Sequence, residues 1–137
     1  MGEYILNFQG YWRECNKGGL PSYAGIYVVY RAIYNSKTDR VLLNEIIYIG
    51  QANNIRERHQ KHEKYDEFCS RLKTGEELCY SCAEVDGRSL DLLENALIFA
   101  QKPALNSIGK ESYKHQAAHI KLDGQCACMN YTDFNIR

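Results

Sequence analysis

Tyrosine, arginine and histidine side chains are concentrated between residues 24 and 62 of this chain. Two tripeptides stand out within runs of β-branched and aromatic residues, Gly25-Ile26-Tyr27 and Tyr48-Ile49-Gly50. The second run leads directly into a segment with helix-start residues that carries Arg58 and His62. These patterns predict a strand that ends where a helix begins. Such a corner would bring the side chains together, where a phosphate group could be held and attacked.

The rest of the chain supplies the elements that must position this corner. Residues 24–34 and 40–51 are predicted to form an antiparallel hairpin, and residues 77–86 a third strand. Helices are predicted from Asn53 or Asn54 through Glu63, over residues 65–74, and from Ser89 to Gln101, where leucines recur on one stripe. Residues 1–23 are interpreted as a short helix or turn followed by a loop. Asp123-Gly124 predicts a hairpin in the tail.

These elements predict an α+β fold, with a small mixed or antiparallel three-stranded sheet flanked by helices and a C-terminal tail that contains a hairpin. A chain of 137 residues fits a single domain. We expect its core to span about residues 22–108, with residues 1–21 and 109–137 as terminal extensions. No internal repeat or second domain is evident.

Charge and hydropathy narrow the classes of partner. Seventeen basic and seventeen acidic side chains give a formal net charge of zero, so the composition does not favour nucleic acid, although a local basic patch could still bind it. No stretch approaches the ~18 apolar residues that cross a bilayer, and no signal-peptide pattern is present. We therefore expect a soluble, cytoplasmic protein without a membrane partner.

Six cysteines raise the alternative of a structural zinc site. Cys79 and Cys82 together with Cys126 and Cys128 could supply four thiolates. Both pairs lie in predicted strands, where residues three apart point to opposite faces, and the second pair has unusually close spacing for zinc. Half-buried packing cysteines are therefore the favoured interpretation. His115 and His119 are four residues apart, and a surface or capping role is expected for them.

The two tripeptides on adjacent strands resemble the motifs of the GIY-YIG nuclease superfamily. Arg58 lies ten residues after Tyr48 and His62 four further on, while Asn106 follows Glu94 by twelve residues, as in that family's pattern. The resemblance covers roughly residues 22–108. The histidine resembles the restriction and homing-type members more than the excision-repair incision domain, which implies a prokaryotic or phage origin.

The resemblance implies separate tasks for these residues. Glu94 would be the ligand of Mg²⁺ or Mn²⁺, and Arg58 would hold phosphate oxygens. Tyr27 and Tyr48 would hydrogen-bond to the attacking water or take its proton, and His62 would relay or accept that proton. Which tyrosine is the base stays open. Asn106 would position the glutamate or backbone. Further substrate contacts are predicted from the residues near the corner, Gln51, Arg56 and Lys61.

Two departures from the family pattern stand out. The hairpin is long, with Tyr48 twenty-one residues after Tyr27, and the insertion at residues 34–43 is a candidate DNA-contacting or dimer-forming extension. Gln51 stands where the family often has a basic residue, which would weaken phosphate binding unless Arg56 or Lys61 compensates.

The resulting hypothesis is a divalent-metal-dependent DNA endonuclease, a compact restriction-type enzyme that could act as a homodimer. The length leaves no room for a separate DNA-binding domain, so the extensions, a dimer or a partner would supply recognition. A DNA-repair or structure-specific nuclease is the alternative within this class. A non-catalytic nucleic-acid- or protein-binding module on the same fold is the alternative outside it.

Overall fold

Strands dominate the regular structure of the computed structural model, which describes residues 2–137. In this range they are β1 (Gly2–Arg13), β2 (Gly25–Asn35), β3 (Arg40–Ala52), β4 (Glu77–Glu84), β5 (Ala118–Gly124) and β6 (Asp133–Ile136). The α-helices are α1 (Ile55–Gln60), α2 (Tyr65–Ser70) and α3 (Leu90–Gln101). Short 3-10 helices cover Glu14–Gly19 and Gly87–Ser89.

The strands form one curled, mixed sheet in the order β3-β2-β4-β1-β5-β6. Neighbouring strands are antiparallel except β1 and β5, which run parallel. The predicted small three-stranded sheet flanked by helices is therefore wrong. The predicted strands are present as β2, β3 and β4, but they are one half of a six-stranded sheet, and both presumed terminal extensions belong to the other half.

The N-terminal segment is the source of the error. Residues 1–23 were expected to form a short helix or turn, yet β1 runs through the middle of the sheet between β4 and β5. Leu6 and Phe8 alternate with exposed neighbours and are buried, which is the two-residue period of a strand. Their partners lie more than a hundred residues later, at Leu122 and Gly124. No local hairpin pattern therefore predicts the pairing.

The hairpin of β2 and β3 closely matches its prediction. Gly25 pairs with Ala52 at one end and Asn35 with Arg40 at the other. Asn54 caps α1, where its side chain accepts a hydrogen bond from the Glu57 amide at 3.0 Å. The helix is shorter than expected and ends at Gln60, so His62 lies beyond it.

Buried apolar side chains pack on both faces of the sheet. Successive residues of β2 belong to different clusters: Val28 lies in the cluster that contains α3, and Tyr27 in the cluster that contains Ile55 and Phe68 of α1 and α2. Cys79 and Cys82 likewise fall in different clusters, as their spacing predicts. Because both faces are covered, β2 is an almost continuous run of buried residues.

The C-terminal tail does contain a hairpin, though with different bounds from those expected. Its second strand is β6, and a connection of irregular residues separates it from β5. On the surface of this half-sheet, the His119 ring lies between the carboxylates of Glu3 and Asp133, with both distances 2.6 Å. Within residues 2–137, no helix has the length and apolar character needed to cross a lipid bilayer.

Candidate active site at the edge of the sheet

A buried hydrogen bond joins two of the predicted site residues. Tyr27 Oη lies 2.7 Å from His62 Nε2. The backbone amide of Lys64 donates to the other ring nitrogen, His62 Nδ1, at 3.1 Å. Since Nδ1 accepts, the proton of the neutral imidazole is on Nε2, and His62 donates to the tyrosine oxygen. The hydroxyl proton of Tyr27 is therefore free to be donated to another group.

Gly50 explains why the phenol of Tyr27 can reach this position. Tyr27 and Gly50 are paired across β2 and β3, and a Cβ on Gly50 would lie 2.5 Å from Tyr27 Cζ. Any side chain at this position would collide with the ring. Gly25 of the other tripeptide is constrained in a similar way, because a Cβ there would meet the Ala83 carbonyl of β4. Packing therefore requires glycine in both tripeptides.

Aromatic rings hold Tyr27 from several sides. Tyr48 is stacked beside it, with ring centroids 6.3 Å apart. His59 packs edge-on against it at 4.4 Å and also lies 4.9 Å from Tyr80. His62 in turn contacts Phe68 of α2 at 4.9 Å. Tight packing of this kind restricts the rotamers of the central tyrosine and fixes the direction of its hydroxyl group.

The surroundings keep both hydrogen-bonded groups neutral near pH 7. Burial, with the neighbouring Tyr48, raises the pKa of Tyr27, and the nearby Arg58 guanidinium partly opposes that rise. Burial, with the charge of Arg58, lowers the pKa of His62 to about 4. Tyr27 is thus a phenol that donates a hydrogen bond, and it needs a nearby positive charge before it can act as a base.

Glu94 and Asp91 lie one turn apart on α3 and share a hydrogen-bond donor. The Gln51 amide nitrogen at the end of β3 lies 2.7 Å from Asp91 Oδ1 and 3.1 Å from Glu94 Oε1. Gln51 was predicted to contact substrate, and in the structure its side-chain amide donates hydrogen bonds to these two carboxylates. Burial raises the pKa of Glu94, although the Gln51 hydrogen bond opposes that rise.

Tyr48 and Glu94 line the same cavity, of about 220 Å³, although they come from different layers. Tyr48 packs with the α1 and α2 side of the sheet, whereas Glu94 is carried by α3 on the opposite face. The two side chains can share a cavity because β3 is an edge strand. No further strand separates the two faces of the sheet at this edge. Asn106 belongs to this cavity too, but its amide bonds the backbone of Ile49 at 2.8 and 3.0 Å, so it anchors β3.

The three basic residues of the prediction have different surroundings. Arg58 is partly exposed, forms an ion pair with Glu63 at 3.2 Å and lies close enough to Tyr27 to affect its pKa. Lys61 is exposed and lines a cavity of about 530 Å³ together with Arg58. Arg56 Nε instead donates to the Leu20 carbonyl at 2.6 Å, which fixes the loop before β2.

The pair of carboxylates fits a magnesium or manganese ion. Mg²⁺ takes one or two protein carboxylates and keeps several waters, and Glu94 has no ion-pair partner anywhere in residues 2–137. In that same stretch no three His, Cys, Asp or Glu side chains are grouped to form a metal site by themselves. Glu94 with Asp91 would hold the ion, and water or substrate would complete its coordination.

Sequence reasoning missed three residues at this site. His59 is 3% exposed, and its Nε2 atom is buried without a hydrogen-bond partner in the part of the chain that the structure describes. Asp91 shares Gln51 with Glu94. Asn95 bonds the loop that follows α3. Asp91 could have been predicted, because a spacing of three residues places it on the same face of a helix as Glu94. The positions of His59 and Asn95 depend on packing between elements that are distant in sequence.

Comparison with models of known protein families, with curated proteins and with solved structures found no match. The assignment of chemistry to this site therefore depends on its residues and their geometry.

Gly50→Ala is expected to destabilise the protein, because the new methyl group must displace the Tyr27 ring from His62. We expect a loss of about 1–3 kcal/mol of unfolding free energy, measured by thermal denaturation. Gly87→Ala is the matched control, since a Cβ there meets nothing within 4 Å. Equal unfolding temperatures of the two variants would contradict the packing argument.

Proposed function

We propose that this protein is a divalent-metal-dependent DNA endonuclease that hydrolyses phosphodiester bonds. The observation that carries the proposal is the meeting of Tyr48 and Glu94 in one cavity at the β3 edge. The stacked, hydrogen-bonded Tyr27 lies beside them. This set agrees with the tasks that the GIY-YIG resemblance implies for the same residues.

Each side chain has a definite part in the hydrolysis. Arg58 places a positive charge near the Tyr27 hydroxyl, where phosphate oxygens would bind, and stabilises the charge that develops on them. Tyr27 donates its free hydroxyl proton to a phosphate oxygen, while His62 holds the phenol oxygen in place. The attacking water releases its own proton to solvent, and Tyr27 regains a proton from solvent after the P–O bond to the leaving oxygen breaks. Tyr48 faces the same cavity as Glu94 and orients the water there.

Mg²⁺ or Mn²⁺ bound by Glu94 and Asp91 would polarise the phosphate and stabilise the leaving oxygen. Glu94 must be ionised for this role. Gln51 holds Glu94 through Oε1 and leaves its second oxygen for the ion, so the amide positions the carboxylate.

The biological setting is part of the proposal. A compact restriction-type enzyme of a prokaryote or phage, acting in the cytoplasm, agrees with the histidine-bearing pattern. A homodimer would cut both strands of a duplex with two copies of the site. Gln51, which already donates to both carboxylates, favours one other candidate, a nucleic-acid-binding module without catalysis.

The test is a cleavage assay on a panel of plasmid, linear duplex and branched DNA with Mg²⁺, Mn²⁺ or EDTA. Discrete fragments that require the metal would support a restriction-type enzyme, and cutting confined to branches would support a repair-type nuclease. If well-folded protein cuts none of these substrates with either metal, the proposed hydrolysis is wrong.

A further inference from the structure

The cavity beside Tyr48 continues past Glu94 into a second one. The second cavity, of about 280 Å³, shares Glu94, Ile98 and Ile108 with the first. The two together form a groove along α3 and the loop that follows it. We call this the α3 groove, lined by Tyr48, Lys64, Asp91, Glu94, Asn95, Ile98, residues 106–109, Ser112, Lys114 and His115.

Charges alternate along the α3 groove. Lys64 lies at the Tyr48 end, the carboxylates of Asp91 and Glu94 lie in the middle, and Lys114 with His115 lies at the far end. A chain of regularly spaced negative charges would bind the two cationic ends. It would approach the middle when a divalent cation neutralises the carboxylates. A nucleic-acid strand is a ligand of this kind.

The loop that carries Lys114 is held in a fixed shape by Asn95. The Asn95 amide nitrogen donates to the carbonyls of Gly109 and Ser112 at 3.2 and 3.0 Å. Its oxygen accepts from the Lys114 backbone amide at 3.0 Å. These three bonds satisfy backbone groups of an otherwise irregular segment, so the wall is formed before any ligand arrives, which lowers the entropy cost of binding.

Ile108 stands at the boundary of the two cavities and is 85% exposed. A large apolar side chain this exposed gains no packing energy from the protein itself. Next to a strand of DNA it would cover the apolar faces of sugars or bases.

We propose that the α3 groove is the path of one DNA strand. Lys64 and Lys114 contact phosphates on either side of the phosphate at Glu94, and Ile108 packs on the strand between them. The inference rests on the proposed function for the identity of the ligand. It adds residues 107–115, outside the resemblance motifs, as the wall that holds the substrate.

The test is equilibrium binding of fluorescein-labelled single-stranded and duplex oligonucleotides, followed by anisotropy with Ca²⁺ in place of Mg²⁺ or Mn²⁺. Ca²⁺ neutralises the carboxylates, and a gel run after each titration checks that the oligonucleotides are still intact. Lys114→Ala is expected to weaken binding about threefold to tenfold and to reduce the slope of log affinity against log salt concentration by about 0.7–0.9. Lys121→Ala, an exposed lysine on β5 outside the groove, is the matched control. Lys114→Arg, which retains the charge, should restore binding.

Asn95→Ala tests the position of Lys114 separately from its charge. It should weaken binding while leaving the salt slope unchanged, because the loop loosens but Lys114 keeps its charge. Equal affinity of Lys114→Ala and Lys121→Ala would overturn the path, and so would failure of the wild type to bind either oligonucleotide. Groove-dependent binding without cleavage would keep the path and refute the proposed hydrolysis, so the two failures are distinguishable.

Discussion

Replacing Tyr27 by phenylalanine is expected to lower the rate of metal-dependent DNA cleavage by roughly 10²- to 10⁴-fold, the range typical of a lost proton-transfer group. The variant keeps the ring that stacks on Tyr48 and packs edge-on against His59, and it removes the hydroxyl group that accepts from His62. The buried N–H of His62 then lacks its partner, which should cost about 1 kcal/mol of unfolding free energy. Single-turnover cleavage and thermal denaturation measure the two effects.

Tyr30→Phe is the matched control for this experiment. Tyr30 is equally buried on the same strand, and its hydroxyl donates to the Ala127 carbonyl at 3.0 Å, away from the site. It should lose a similar amount of stability and keep its cleavage rate. If the two variants lose activity to the same extent, the effect of Tyr27 is one of folding and not of chemistry.

Glu94→Gln should abolish cleavage, with a loss of about 10³-fold or more, because the variant removes the negative charge that binds the divalent ion. The glutamine retains the shape of the side chain and an oxygen for Gln51. Cleavage should not be restored by raising the Mg²⁺ or Mn²⁺ concentration within the range the wild type tolerates. Glu84→Gln, at an exposed position on β4, should cleave at the wild-type rate.

The pH dependence of Glu94 gives a second readout of the same variant. Its folded pKa is raised above the ordinary value of 4.5 by burial, so the native state binds the proton more tightly than the unfolded chain. Ionised Glu94 therefore destabilises the fold above the folded pKa, and this penalty disappears as the pH falls below 4.5. Glu94→Gln should unfold at the wild-type temperature or slightly above it at pH 7.

Local patterns predicted the half of the molecule in which partners are close in sequence. The hairpin of β2 and β3 needs a single turn, and Asn54 caps α1 through its own side chain. The other half depends on the parallel pairing of β1 and β5, which no turn residue encodes. The alternation of Leu6 and Phe8 with the polar residues Asn7 and Gln9 was the available signal, and the aromatic cluster around Trp12 masked it.

The candidate site divides in the same way. The sequence motifs place Tyr27 and Tyr48 on paired strands, where the cross-strand register brings them together. The contact of Gln51 with Asp91 and Glu94 requires α3 to pack against the end of β3, a tertiary arrangement that residue spacing does not specify. For the same reason, the sequence predicted that Asn106 lies near the site but did not predict that its amide bonds the backbone of Ile49.

The central position of β1 has a consequence for how the chain folds. Its two neighbours are β4 and β5, so both of its edges stay open until residues far downstream have been synthesised. Closing such long loops slows folding and lengthens the time during which open strand edges can pair with other chains. A chain cut short before residue 118 would leave one side of β1 without its partner, and we expect it to aggregate. The strands that are synthesised last, β5 and β6, therefore complete the sheet beside β1, the strand that is synthesised first.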